Sequence, residues 1–285
     1  MKAYGIYIGY DYISIVSRNF DSPVVTPLII HPLRKTIERY KEISFAFDKI
    51  ISGRHVSANR NSVVQLSFES SENIEFITDC EDAVPDINEM MSWELLLRVG
   101  NSMKDYNISS FHIFENRYFV AASKRKDLEF YTNQVSRLGI KTLAVEPSIV
   151  SAVNLFELNY DVAGETLIAV VGSHKITLAY VKDGKLVDIA QYTARLSELI
   201  SSEDIMKIRA EISERNTIGK DVPMYLTGDL LADSEYTDFL LTDLINCAYL
   251  DPFKCISHHK NTNKNLIEKY SFMFGIAVSL SNKTV

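Results

Sequence analysis

A strand, a glycine turn and a second strand open this chain, and the same pattern restarts about 160 residues later. No other feature limits the fold as much. The first copy is Gly5-Ile6-Tyr7-Ile8-Gly9, followed by Tyr10-Asp11 and a second strand over Tyr12–Ser17. The second is a strand over Leu167–Val171, the turn Gly172-Ser173, and a strand over Ile176–Val181. A third glycine turn, Gly228-Asp229, ends the short strand Met224–Thr227. Glycine at such turns permits positive φ and lets backbone N–H groups come close to an anion. The repeat predicts two lobes, residues 1–160 and 161–285. The helix Ser148–Leu158 and the following Asn159-Tyr160-Asp161 would form the hinge.

Between the two openings the periodicity changes. A polar-faced helix is predicted from Pro32 to Tyr40, with Pro32 in its first turn. Strands over Val63–Phe68 and Ile74–Thr78 flank the Ser70–Asn73 turn. A helix follows from about Asp86 and stops at Gly100. A hairpin over Glu115-Asn116-Arg117 and a helix ending at Gly139 complete a small α+β insert at about 60–140. In the second lobe Asp183-Gly184 is a strong two-residue hairpin signal. Helices are predicted at 203–215, about 234–248 and 263–281.

Composition removes several function classes. The 285 residues are 46% hydrophobic and 24% charged, ordinary for a folded protein with sizeable cores. A net charge of −7 disfavours non-specific binding to nucleic acid or anionic lipid. Three cysteines give no disulfide framework. Met1-Lys2-Ala3-Tyr4 lacks the apolar stretch of a signal peptide. The run Phe274–Leu280 is too short to span a bilayer. These features lead to the expectation of a soluble cytoplasmic protein with no direct membrane insertion.

The order and spacing of the three turns resemble the phosphate-1, phosphate-2 and adenosine loops of the actin-like ATPase fold. Further residues narrow the resemblance: Met91-Ser92-Trp93-Glu94-Leu95, Val145-Glu146-Pro147, Met224 to Asp229, Asp251-Pro252-Phe253 and Gly275-Ile276-Ala277. Together they are similar to the PilM family of type IV pilus assembly proteins and to the cytoplasmic actin-like domain of the type II secretion protein GspL. The resemblance implies an α/β, bilobal actin-like (ribonuclease H-like) fold, with a small α+β insert in the first lobe. It also implies a cytoplasmic location at the inner face of the cytoplasmic membrane. The partner would be the cytoplasmic tail of a bitopic inner-membrane pilus or secretion protein, laid into a groove near the insert; a secretion ATPase is a further possible partner.

Departures from the family pattern bear on catalysis. Nucleotide-binding members carry an Asp two residues before the glycine in each of the first two loops; here those positions hold Tyr7 and Val170. His174 and Lys175 stand at small-residue positions, and Gly-Gly of the third loop becomes Gly228-Asp229. Between Tyr192 and Pro223 there is room for little beyond one helix, so the second-lobe subdomain is reduced. Phosphoryl transfer depends on positioning and charge stabilisation. Losing one oriented group costs on the order of a hundredfold to a thousandfold in rate. The expected site is therefore a vestigial, narrow nucleotide cleft of Gly9, Tyr10, Asp11, Gly172, Ser173, Gly228 and Asp229, with no catalytic residue, cofactor or metal. Two alternatives stay open at this point: a divergent ATPase or sugar-kinase relative using Asp11, Asp229 and Glu146 with ATP, or an FtsA-like membrane-tethered cytoskeletal protein.

Other constellations carry little. His258-His259 with Asp251 and Cys255 lacks zinc spacing, and Lys124-Arg125-Lys126 reads as a solvated helix start. Trp93, beside Met90 and Met91, is by default a core residue.

Overall fold

Two five-stranded sheets of identical strand order frame the molecule, a computed structural model that describes residues 2–34, 38–54, 56, 61–80, 87–194, 200–232, 244, 246–260, 262, 267 and 274–282. The first half runs β1 (Lys2–Ile8), β2 (Tyr12–Asn19), β3 (Val25–Pro32), α1 (Arg39–Ser52), β4 (Val63–Phe68), β5 (Ile74–Asp79) and α2 (Ile87–Val99). It continues with β6 (Tyr106–Phe114), β7 (Arg117–Lys124), α3 (Arg125–Ser136), β8 (Lys141–Val145) and α4 (Ser148–Asn159). The second half runs β9 (Glu165–Val171), β10 (Lys175–Lys182), β11 (Lys185–Thr193), α5 (Ser202–Asn216), β12 (Met224–Thr227) and β13 (Cys247–Tyr249). The last described helix is α6 (Gly275–Asn282).

The sheets are ordered β3-β2-β1-β4-β8 and β11-β10-β9-β12-β13. In each, the central strand pairs antiparallel with the next strand in sequence and parallel with the strand on its other side. The repeat in the sequence is thus a repeat of topology. The ends of β1, β4, β9 and β12 reach a switch in strand order, where open α/β sheets leave their binding crevice.

Strand alternation sorts side chains into three cores. Tyr4, Ile6 and Ile8 face outward with Ile43, Phe47 and Ile50 of α1 and Tyr131 and Val135 of α3. Leu167, Ala169 and Val171 face outward with Ile205, Ile208 and Ile212 of α5. The opposite faces share one inner core, where Tyr7 and Val170 join α4 and α6. Although α6 comes from the second half, it packs on β1, β2 and β4 of the first sheet. The approach is close because of Gly5: a Cβ there would lie 1.9 Å from the Ala277 carbonyl oxygen.

The insert is a three-stranded sheet, β5-β7-β6. Met91 and Leu95 of α2 cover one of its faces, against Phe76, Val120, Tyr106 and Ala122. Asp183 and Gly184 both have positive φ, as a type I′ hairpin requires. Ser201 caps α5 in a capping box with Asp204.

Three expectations need correction. No helix starts at Pro32: that residue ends β3, and α1 begins at Arg39. An edge strand tolerates Pro27 and Pro32 because its outer N–H groups need no ladder partner. Residues 247–249 are a strand rather than the end of a helix. The rest of the helix expected at 234–248 lies outside the described residues, as does most of the one expected at 263–281. Trp93 is 61% exposed rather than buried, because the core side of α2 is taken by Met91 and Leu95.

Candidate functional site at three glycine turns

The three turns come together, and the chain's own side chains fill the space between them. The Tyr10 backbone N–H donates to Asp229 Oδ2 across 219 positions of sequence. The Ser173 hydroxyl donates to Asp11 Oδ2. A Cβ on Gly9 would fall 1.9 Å from Asp229 Oδ1, so only glycine leaves room for that carboxyl group. Gly172 lies against the Tyr10 ring, with 3.1 Å between its virtual Cβ and Tyr10 Cδ2. Gly228 has a φ of 116°, and a Cβ there would sit 2.7 Å from the Val171 backbone. That conformation turns Asp229 inward. All seven expected residues therefore meet at one place.

Tyr7 and Val170, at 0% and 2% exposure, lie in the inner core. The Tyr7 hydroxyl lies beside Asp229 without reaching strict hydrogen-bond geometry. Asp229 itself is wholly buried. Burial, with the nearby charges of Asp11 and Glu69, holds its carboxyl well above the usual range; the Tyr10 amide and Arg39 pull the other way.

Sequence reading named Lys175 at the second turn without its role, and missed Arg39 and Glu69. Arg39 clamps the first turn, donating to the Gly9 carbonyl at 2.6 Å and the Tyr10 carbonyl at 3.1 Å. Its guanidinium also lies over the Tyr10 ring, 5.0 Å from the centroid. Glu69, directly after β4, is 5% exposed, and burial raises its carboxyl pKa, opposed mainly by Lys175. Lys175, 2% exposed, donates to the Asn73 carbonyl at 2.9 Å and pairs with Glu75 Oε2 at 3.3 Å. Glu75 also accepts from Gln191 Nε2 and from Thr177 Oγ1. This buried knot ties β5 of the insert to β10 and β11. The available signal was placement: a charge at a strand end beside the turns, as with Glu69 and Lys175.

Two open spaces flank the filled centre. A cavity of about 880 Å³ opens beside Tyr10 and Asp11, between α1, the 70–72 turn and the start of α3. Among the described residues lining it, His174 alone comes from the second half. The expected narrow crevice is thus closed between the three glycines and bordered by a wide space on the first-lobe side. A second pocket, about 380 Å³, lies between β8 and the face of the insert sheet opposite α2. Phe111, Phe119, Pro147 and Val150 give it apolar walls; Glu75 and Glu146 give it carboxylates.

Paired β3-β2-β1-β4-β8-type sheets, with glycine turns meeting between them, define the actin-like ATPase fold, and this chain has it. Among solved structures, the chain is similar to one of a PilM–PilN type IV pilus biogenesis complex, at 14% identity and a TM-score of 0.66. That match covers 98% of this chain and 97% of the other. It is also similar to a Bacteroides thetaiotaomicron protein of actin-like ATPase fold and unknown function (12% identity, 94% of each chain, TM-score 0.59). A third likeness is to the cytoplasmic domain of EpsL, an inner-membrane component of the Vibrio cholerae type II secretion system (8% identity, 80% of this chain and 83% of that, TM-score 0.54). No protein-family model and no curated protein matches the sequence. At these identities the likeness carries the fold alone. No described helix is long and apolar enough to cross a membrane.

Proposed function

We propose that this protein is a non-catalytic actin-like scaffold of a type IV pilus or type II secretion-like platform at the inner face of the cytoplasmic membrane. It holds an extended segment from the cytoplasmic tail of a membrane partner. The observation that carries this reading is the contrast between the two sites. The turns that hold phosphate in relatives hold this chain's own carboxyl groups, with Asp229 on the Tyr10 amide and Asp11 on Ser173. The pocket between β8 and the insert is open. An entering polyphosphate would find the space between the turns taken by the Asp229 carboxyl group and would face Asp11, and like charges repel at short range.

The pocket suits an extended chain. β8 is the edge strand of its sheet and offers backbone groups, while Phe111, Phe119 and Val150 offer apolar contacts. Glu146, at the end of β8, adds a carboxylate to the rim of the pocket. The similar PilM–PilN and EpsL structures belong to pilus and secretion systems, which supports the choice of machine. The divergent-ATPase reading needs a free Asp11, and that carboxylate is engaged by Ser173.

Crosslinking in intact cells, followed by purification from membranes, tests the reading. A membrane protein of the pilus or secretion class should be captured by the wild-type chain and lost with Ala121→Trp, which fills the pocket. Capture of no such partner, or equal capture by the filled variant, would overturn it.

A further inference from the structure

We propose that Asp229 is an internal latch: its carboxyl group bridges the third glycine turn to the first and holds the two lobes closed without any bound ligand. The inference is independent of the partner reading and rests on local geometry. Gly228, held by its positive φ against Val171, aims the carboxyl at Gly9. Gly9 has no Cβ, which creates the seat. The Tyr10 N–H, from the turn after β1, is the donor that the seat presents. Asp11–Ser173 forms a second tie between the lobes beside it. One side chain, 0% exposed, fills the space between the first and third turns.

The latch has a condition for release. Facing Asp229 are Asp11 and Tyr12 of the first hairpin, Glu69 after β4, Tyr7 of β1, and Arg39 of α1. Arg39 is the cation among them, and its guanidinium is bonded to the Gly9 and Tyr10 carbonyls. A protonated carboxyl sits at ease among these acidic neighbours; an ionised one is repelled by Asp11 and Glu69. Rising pH therefore weakens the latch.

Amide hydrogen exchange on the full-length protein tests this, with two variants. Asp229→Ala removes the bridge, while Asp229→Asn keeps an acceptor for the Tyr10 N–H and cannot ionise. The Gly9 amide, bonded within its own turn to the Tyr12 carbonyl at 2.9 Å, reports whether the turn remains folded. Tyr10 exchange in the Ala variant should be about tenfold faster than in wild type, roughly the factor for one lost hydrogen bond. Gly9 should stay protected, and the Asn variant should keep Tyr10 protection as the pH rises. Unchanged Tyr10 exchange in the Ala variant would overturn the latch. If the Ala variant melts the whole turn, the Asn variant decides: loss of Tyr10 protection there would overturn it too.

Discussion

Replacing Lys175 by Met should cost this protein a large part of its stability. The ammonium is 2% exposed and sits between the Asn73 carbonyl and Glu75, itself 7% exposed. Methionine keeps the length of the stem and removes the charge. Glu75 is then left in the interior without its cation, with Gln191 and Thr177 as its remaining donors. Glu69 also loses the cation that chiefly opposes its burial. Breaking a buried ion pair costs about 3–5 kcal/mol. The two hydrogen bonds left on Glu75 reduce that to about 2–4 kcal/mol, against a total of roughly 5–15 kcal/mol for a folded domain. Urea unfolding followed by circular dichroism reads the difference. Adding Glu75→Gln to Lys175→Met should recover at least about 1 kcal/mol, since the double variant no longer buries the Glu75 carboxyl without its cation. A single-variant loss below about 1 kcal/mol would refute the claim that this knot ties the insert to the second sheet.

Three further outcomes are expected. Asp229→Asn should flatten the pH dependence of thermal stability. The raised carboxyl pKa contributes stability that is complete below about pH 4, the unfolded value, and lost as pH rises through the folded one. The variant should therefore gain on wild type from pH 5 upward, and a widening deficit in a melting series would contradict this. Gly5→Ala should cost about 3 kcal/mol or more in urea unfolding, because its Cβ meets the backbone of α6 rather than a yielding side chain. Trp93→Ser and Leu97→Ser, at positions 61% and 83% exposed, should each stay within about 0.5 kcal/mol of wild type in the same assay.

The frame was legible because it rests on short-range signals. Strand–glycine–strand openings, the Asp183-Gly184 hairpin and the helix stops at Gly100 and Gly139 are written in adjacent residues. The meeting of Gly9, Gly172 and Gly228 follows from topology once the repeat is seen. β3 was hidden by Pro27 and Pro32, which speak against a strand unless its place at a sheet edge is known. The roles of Arg39 and Lys175 were hidden for another reason. Arg39 serves carbonyls 29 and 30 residues away, and Lys175 a carboxylate 100 residues away, so no local pattern shows either one's partner. Asp229 was visible as a charge near the cleft, but its inward turn depends on the Gly228 conformation.

Titration of the purified protein with Mg-ATP, by calorimetry and by thermal unfolding, tests the central claim most directly. A centre filled by Asp229, Tyr7 and Val170 should give no binding heat and no change in Tm at millimolar nucleotide. Ligand at a hundredfold excess over its Kd would stabilise the fold by about 2.7 kcal/mol. A rise of several degrees with Mg-ATP, absent with AMP or Mg²⁺ alone, would contradict the sealed cleft and return the protein to the nucleotide-binding members of its fold.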